Sequence, residues 1–173
     1  MRSIGLSGVL AAALLTAAVA PASAGDVKTR LSGYDETPST ISTTASGEFK
    51  AKIHKDGTAI DYELTYQDPE SVVTQAHIHF GRPAITGGIV LFLCTNLAPP
   101  VGVPAPPACP SAPTTITGTL TEADVIAVVA QGIDAGATGF AEILDAIRAG
   151  AAYVNVHTTG HPSGEIRGRL RGH

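Results

Sequence analysis

His77 and His79 stand two residues apart in Ala76-His77-Ile78-His79-Phe80, and His157 ends a second short run, Tyr153-Val154-Asn155-Val156-His157. In an extended chain, residues two apart share a face. The first run therefore points both histidines one way and Ala76, Ile78 and Phe80 the other. By the same rule Tyr153, Asn155 and His157 share a face, opposite Val154 and Val156. If the two runs are neighbouring strands, cross-strand Cβ distances of ~5 Å bring three imidazoles together. Neutral ring nitrogens are borderline-soft donors that suit zinc, copper or nickel. Nitrogens sharing one ion at ~2.0–2.1 Å would stand ~3–4 Å apart.

His161 lies four residues past His157, in Thr159-Gly160-His161-Pro162, and is placed to reach back as a fourth ligand. Glu165 is placed to orient an imidazole from behind. Copper or zinc is the cofactor that such a set implies. The competing reading is that the strand histidines form hydrogen bonds, with Asn155, Thr158 and Arg167 as partners. Glu165 and Arg167 share a strand face and read as an ion pair or a hydrogen-bonded corner. His54, beside a hairpin turn, and His173, at the end of the chain, read as solvated.

Other chemistries find no support. There is no G-x-S-x-G elbow, no Gly-rich phosphate loop and no Cys-His nucleophile pairing, so nothing argues for a covalent catalyst. The chain carries a formal net charge of −4. Outside Arg167, Arg169 and Arg171 there is no basic cluster, so nucleic acid is not an expected partner.

Strands are needed to position these residues, and the strand signals are short and regularly spaced. Residues 45–54 alternate, with Phe49, Ala51 and Ile53 on one face and Glu48, Lys50 and Lys52 on the other. Lys55-Asp56-Gly57-Thr58 supplies an Asp-Gly hairpin turn. Residues 59–66 resume the alternation, Ile60, Tyr62, Leu64 and Tyr66 against Asp61 and Glu63. Residues 72–80 form the first histidine strand. Residues 88–94, apolar on both faces, read as a central strand, with Gly87-Gly88 as the turn before it. Residues 114–120, 153–158 and 165–170 complete the set of strands.

Two helical stretches precede the last two strands. Thr121-Glu122-Ala123-Asp124 has the form of a capping box, and Val125, Ile126, Val128 and Val129 follow as an apolar stripe. Phe140, Ile143, Leu144 and Ile147 repeat the stripe, and Gly150 is placed to end that helix as its C′ residue. The pattern predicts an all-β fold: an antiparallel, Greek-key-like β-sandwich or barrel with two short helices inserted before the last two strands. The abundance of Val, Ile, Thr, Gly and Pro and the lack of Trp agree with it.

The beginning of the chain reads as a targeting segment. Arg2 precedes an apolar run over residues 4–20, and in Pro21-Ala22-Ser23-Ala24 the residues Ala22 and Ala24 fit the small-x-small pattern of a signal-peptidase site. The run is too short and too poor in large residues for a membrane anchor, which needs ~20 strongly apolar residues. Residues 1–24 thus read as a signal peptide cut after Ala24, and residues 25–173 as one periplasmic or secreted domain without a transmembrane anchor after cleavage. Export places Cys94 and Cys109 in an oxidising compartment. They flank a loop containing Pro99, Pro100, Pro104, Pro106 and Pro107, and a disulfide closing it would stabilise by on the order of 3 kcal/mol. Two thiolates alone make a poor structural zinc site.

Several motifs carry a family resemblance. Leu31-Ser32-Gly33 with Glu36 and Pro38, then Ala45-Ser46-Gly47, resembles the opening of CHRD domains, first described in chordin and widespread in exported bacterial proteins. Ala76-His77-Ile78-His79-Phe80-Gly81 is similar to the family's AHIH-x-G segment, and Gly118-Thr119-Leu120-Thr121 to its GTLT segment. Tyr153-Val154-Asn155-Val156-His157-Thr158, with Pro162 and Gly164-Glu165-Ile166-Arg167-Gly168, resembles the YVNVHT…P-x-GEIRG ending. The matches run in family order over nearly the whole of residues 25–173. The chain departs from the simplest members in the Cys94–Cys109 loop and in His161. The growth-factor antagonism of chordin belongs to a multidomain animal protein and is not carried over.

These observations point to an exported, non-enzymatic binding module that holds a transition metal through His77, His79, His157 and His161, its partner a metal ion or an extracellular protein. One alternative is a structural or adhesive surface domain with no ligand. The other is a redox enzyme like the copper-zinc superoxide dismutases, to which the H-x-H strand is similar although the rest of their ligand set is not recognisable.

Overall fold

The computed structural model describes residues 25–172, so the signal-peptide reading and His173 lie outside the described residues. Eight strands follow one another as β1 (Asp26–Ser32), β2 (Ser46–Ile53), β3 (Ala59–Gln67), β4 (Val73–Phe80), β5 (Gly88–Thr95), β6 (Thr114–Thr121), β7 (Ala152–Thr158) and β8 (Ile166–Leu170), with one α-helix, α1 (Gly136–Arg148), before the last two. They form a single sheet in the order β5-β4-β7-β8-β1-β2-β3-β6, and every pairing is antiparallel. The sheet curls into a nearly closed barrel. The edge strands β5 and β6 come together where the Tyr62 ring of β3 lies over Gly118 of β6 and its hydroxyl donates to the Leu93 carbonyl on β5 at 2.9 Å.

Period-two alternation is what closes the sheet around one interior. Phe49, Ile53, Leu64, Ile78, Leu91, Leu93, Val154, Ile166 and Leu170 are buried in one cluster, and α1 adds Phe140, Ile143, Leu144 and Ile147. The turn at Lys55-Asp56-Gly57-Thr58 joins β2 to β3 as expected, Gly57 taking φ +70° and Ile53 pairing with Ile60. The Cys94–Cys109 disulfide is present. It fastens the proline-rich loop, and Asn96 holds both sides of it through bonds to the backbone of Cys109.

Two expectations need correction. Strand β1 has no counterpart in the sequence reading, because its charged outward positions (Asp26, Lys28, Arg30) mask the inward pair Val27 and Leu31. The first expected helix is not one: residues 121–129 give only short 3-10 turns, Glu122–Asp124 and Val129–Gln131. The capping box forms, with Ala123 N–H donating to the Thr121 hydroxyl and Thr121 N–H to Asp124. The chain then turns extended, and Ile126 N–H donates to the Val90 carbonyl of β5 rather than to a helix carbonyl. A β-branched run next to an open strand edge gains more from that bond than from a helical turn. The second helix ends as expected, with Gly150 at φ +65° just past Ala149.

Candidate metal centre

Strands β4 and β7 are neighbours, with His77 opposite Asn155, His79 opposite Tyr153 and Gln75 opposite His157. Ala76, Ile78, Val154 and Val156 fill the barrel interior. Their alternates project from the outer face, and there the three imidazoles meet. One ring nitrogen from each of His77, His79 and His157 lies within 4.8 Å of the others, and the ring centroids are 4.9 Å (His77–His157), 5.4 Å (His77–His79) and 6.1 Å (His79–His157) apart.

The outer face is not wet at this point. The connections that flank it fold over the cluster, leaving His77 fully buried, His79 6 % exposed and His157 half-buried. Each cover supplies chemistry. Gly87, between β4 and β5, places its carbonyl 3.0 Å from His79 Nδ1. Pro162, between β7 and β8, places its carbonyl 3.0 Å from His157 Nδ1. A carbonyl only accepts, so both Nδ1 atoms carry the hydrogen, and both Nε2 atoms present a lone pair. His79 Nε2, His157 Nε2 and both nitrogens of His77 are buried with no hydrogen-bond partner among the described residues. Leaving such a group unsatisfied costs about 1–3 kcal/mol.

Burial sets the charge of the cluster. Desolvation, reinforced by His157 and His79, pulls His77 down to about 2; desolvation also outweighs the Gly87 bond and pulls His79 down to about 4. His157 is lowered too, by desolvation. The rings are neutral at physiological pH, the form in which imidazole ligates a metal.

Neighbouring side chains brace the rings. Tyr153 stacks on His79, and the Arg167 guanidinium carbon sits 3.4 Å from the Tyr153 ring centroid. The guanidinium is held by Thr37 and by the carbonyls of Arg82 and Ile85. Phe92, opposite His77 on β5, meets it edge-on at 4.3 Å.

The remaining site expectations resolve differently. His161 does not join the cluster: its Nε2 lies 3.6 Å from Glu70, and it groups with Glu70 and Glu165. The turn swings His161 away because Thr158 N–H and Gly164 N–H both bond to its carbonyl. Glu165 orients no imidazole. Its carboxylate accepts from the Thr43 hydroxyl, Glu70 N–H and the Thr158 hydroxyl. Burial pushes that carboxyl up, but these bonds outweigh it and hold it below its ordinary range. Asn155 donates to Glu36, so the side chains of Asn155, Thr158 and Arg167 all find partners other than the three clustered imidazoles. The orienting groups proved to be the backbone carbonyls of Gly87 and Pro162, which no side-chain pattern announces. Tyr153 was visible on the histidine face, though its stacking was not. His54 is partly exposed and lies 2.8 Å from Asp61.

A nearly closed antiparallel barrel bearing a buried imidazole cluster on two adjacent strands defines a small all-β domain with one distinctive site. The chain belongs to the CHRD domain family, whose model matches residues 27–170, nearly all of the described chain. No curated protein and no solved structure matches it.

Proposed function

We propose that this CHRD domain is an exported, non-enzymatic binding module that holds one borderline transition-metal ion, copper or zinc, on His77, His79 and His157. The observation that carries the reading is that one ring nitrogen from each of three histidines lies within 4.8 Å of the others, in a cluster where four ring nitrogens are buried with no hydrogen-bond partner among the described residues. An ion bound to all three satisfies every one of His79 Nε2, His157 Nε2 and a His77 nitrogen at once. Shared ligation sets such nitrogens ~3–4 Å apart, against the 4.8 Å within which one nitrogen of each ring stands here. The Nδ1–carbonyl bonds of His79 and His157 are the usual outer-shell arrangement for a metal-bound imidazole. Three neutral nitrogens without a carboxylate suit copper or zinc better than magnesium or calcium. Export is supported by the signal-peptide pattern of residues 1–24 and by the disulfide.

The test is metal analysis of the full chain after desalting. Copper or zinc near one equivalent, lost in His77→Ala and in the milder His157→Gln while both variants remain folded, supports the reading. Metal-free parent protein that binds neither ion on reconstitution removes it, and leaves the histidines as packing groups. Intact-mass analysis of exported protein should give a chain beginning at Gly25.

A further inference from the structure

The register between β1 and β8 sets cations opposite one another. Ser32 pairs with Arg167 and Val27 with Gly172, so Arg30 lies opposite Arg169 and Lys28 opposite Arg171. Like charges directly opposite on antiparallel strands are destabilising. Nor does the other neighbour relieve Arg30. Glu48 of β2 is its cross-strand partner, but the Glu48 oxygens are taken by Lys28 and Lys50, each at 2.9 Å.

Among the described residues, Arg30, Arg169 and Arg171 have no carboxylate within 4.0 Å. Arg169 donates through Nε to the Gly150 carbonyl at 2.7 Å, which fixes the side chain and leaves its terminal nitrogens unassigned. All three arginines line a groove of about 820 Å³, together with the exposed Tyr34 and with Asp35 and Glu36. Burial pushes Glu36 up to about 7, which weakens the negative charge on that side. The chain as a whole is acidic, at −4, so a surplus of cations in one groove is not a property of its average surface.

We propose that this groove binds a multivalent oxyanion, a small polycarboxylate or a phosphate, bridging Arg30, Arg169 and Arg171. Each guanidinium presents a planar fork of N–H donors that matches two oxygens of such a group. Neighbouring strands stand ~4.8 Å apart and alternate residues ~6.6 Å apart, so the forks are spaced for a ligand with more than one anionic oxygen. Arg167 is excluded from this role because its fork is occupied by Thr37, Arg82 and Ile85. The inference does not rest on the metal.

The experiment titrates the full chain with inorganic phosphate and, separately, with tricarballylate, at low ionic strength with sodium chloride as control. Saturable heat and a rise in melting temperature are expected, and the tighter of the two anions identifies the source as phosphoryl or carboxylate. Arg30→Gln and Arg171→Gln should each weaken binding about tenfold, the loss of one charge-assisted pair. Because Arg30→Gln removes a like-charge opposition, it should melt no lower than the parent in anion-free buffer. No saturable binding of either anion, equal binding by both variants, or a response reproduced by chloride overturns the site.

Discussion

Tyr153 lies flat on His79, ring centroids 4.6 Å apart and planes 3° from parallel. Strand β7 runs between β4 and β8, so the ring is held between His79 on one side and Arg167 on the other. This fixes the plane of an imidazole whose Nδ1 is already tied to Gly87. Tyr153→Leu removes the plane and should weaken copper or zinc binding by about tenfold or more, the usual effect of losing an orienting neighbour. Tyr153→Phe keeps the ring and loses only the hydroxyl that accepts from Gly87 N–H at 3.2 Å. It should retain the metal and cost about 1 kcal/mol. Competition titration against a chromophoric chelator, paired with urea unfolding, separates the two effects; equal affinity in both variants would show that the stack orients nothing.

Gly87 is a steric requirement of the same site. A Cβ there would lie 1.8 Å from the Phe80 carbonyl oxygen, which is backbone and cannot step aside. Gly87→Ala should therefore push the connection outward and carry away the carbonyl that holds His79 Nδ1. We expect a loss of stability of about 1–3 kcal/mol together with a fall in metal affinity. As a control, Gly102→Ala meets nothing within 4 Å and should leave the metal affinity unchanged, its only cost being the positive φ of that exposed loop. Matching affinities for the Gly87 variant and the parent would count against the carbonyl's role.

The disulfide makes a separable contribution. Cys94 and Cys109 close a loop of sequence separation 15, which on the chain-entropy model is worth about 3 kcal/mol. Cys94→Ala with Cys109→Ala should lower stability by about that much. Cys94 occupies the buried face of β5, away from the imidazoles, so metal stoichiometry should persist in the folded double variant. Loss of the metal from a variant that remains folded would tie the loop to the site.

Much of this arrangement was legible in the sequence, for a definite reason. The shared face of His77 and His79, and that of Tyr153, Asn155 and His157, follow from period two alone, and their meeting required only that β4 and β7 be adjacent. The hairpin at Asp56-Gly57 and the helix end at Gly150 follow from backbone chemistry peculiar to glycine. What stayed hidden depends on tertiary contacts. His161 is four residues from His157, but a turn closed by its own carbonyl aims it at Glu70. The stripe of Val125, Ile126, Val128 and Val129 has helical spacing, yet an open edge of β5 captures Ile126. The burial of the cluster comes from connections that are not strands, so a face that reads as outward turned out to be dry.

That burial has a pH signature. Unfolded histidines titrate near 6.5, whereas desolvation pulls His77 to about 2 and His79 to about 4, and lowers His157. The folded state thus binds fewer protons than the unfolded state, and the stability these rings contribute is present above pH 6.5 and lost as the pH falls toward their folded values. Each ring contributes a slope of up to about 1.4 kcal/mol per pH unit. Glu36 acts in the opposite sense. Burial raises it from 4.5 to about 7 despite the Thr37, Arg167 and Asn155 contacts, so its contribution is full below pH 4.5 and lost as the pH rises through 7. Between pH 4.5 and 6.5 His77 and His79, with His157 acting in the same sense, outweigh one carboxyl, and metal-free protein should become less stable with each step of acidification. Removing the offset in Glu36→Gln should make that decline steeper. Urea midpoints measured from pH 4.5 to 7.5 on parent and variant test both signs; a flat profile for the parent would mean that the three rings are solvated and already able to take up protons in the folded state.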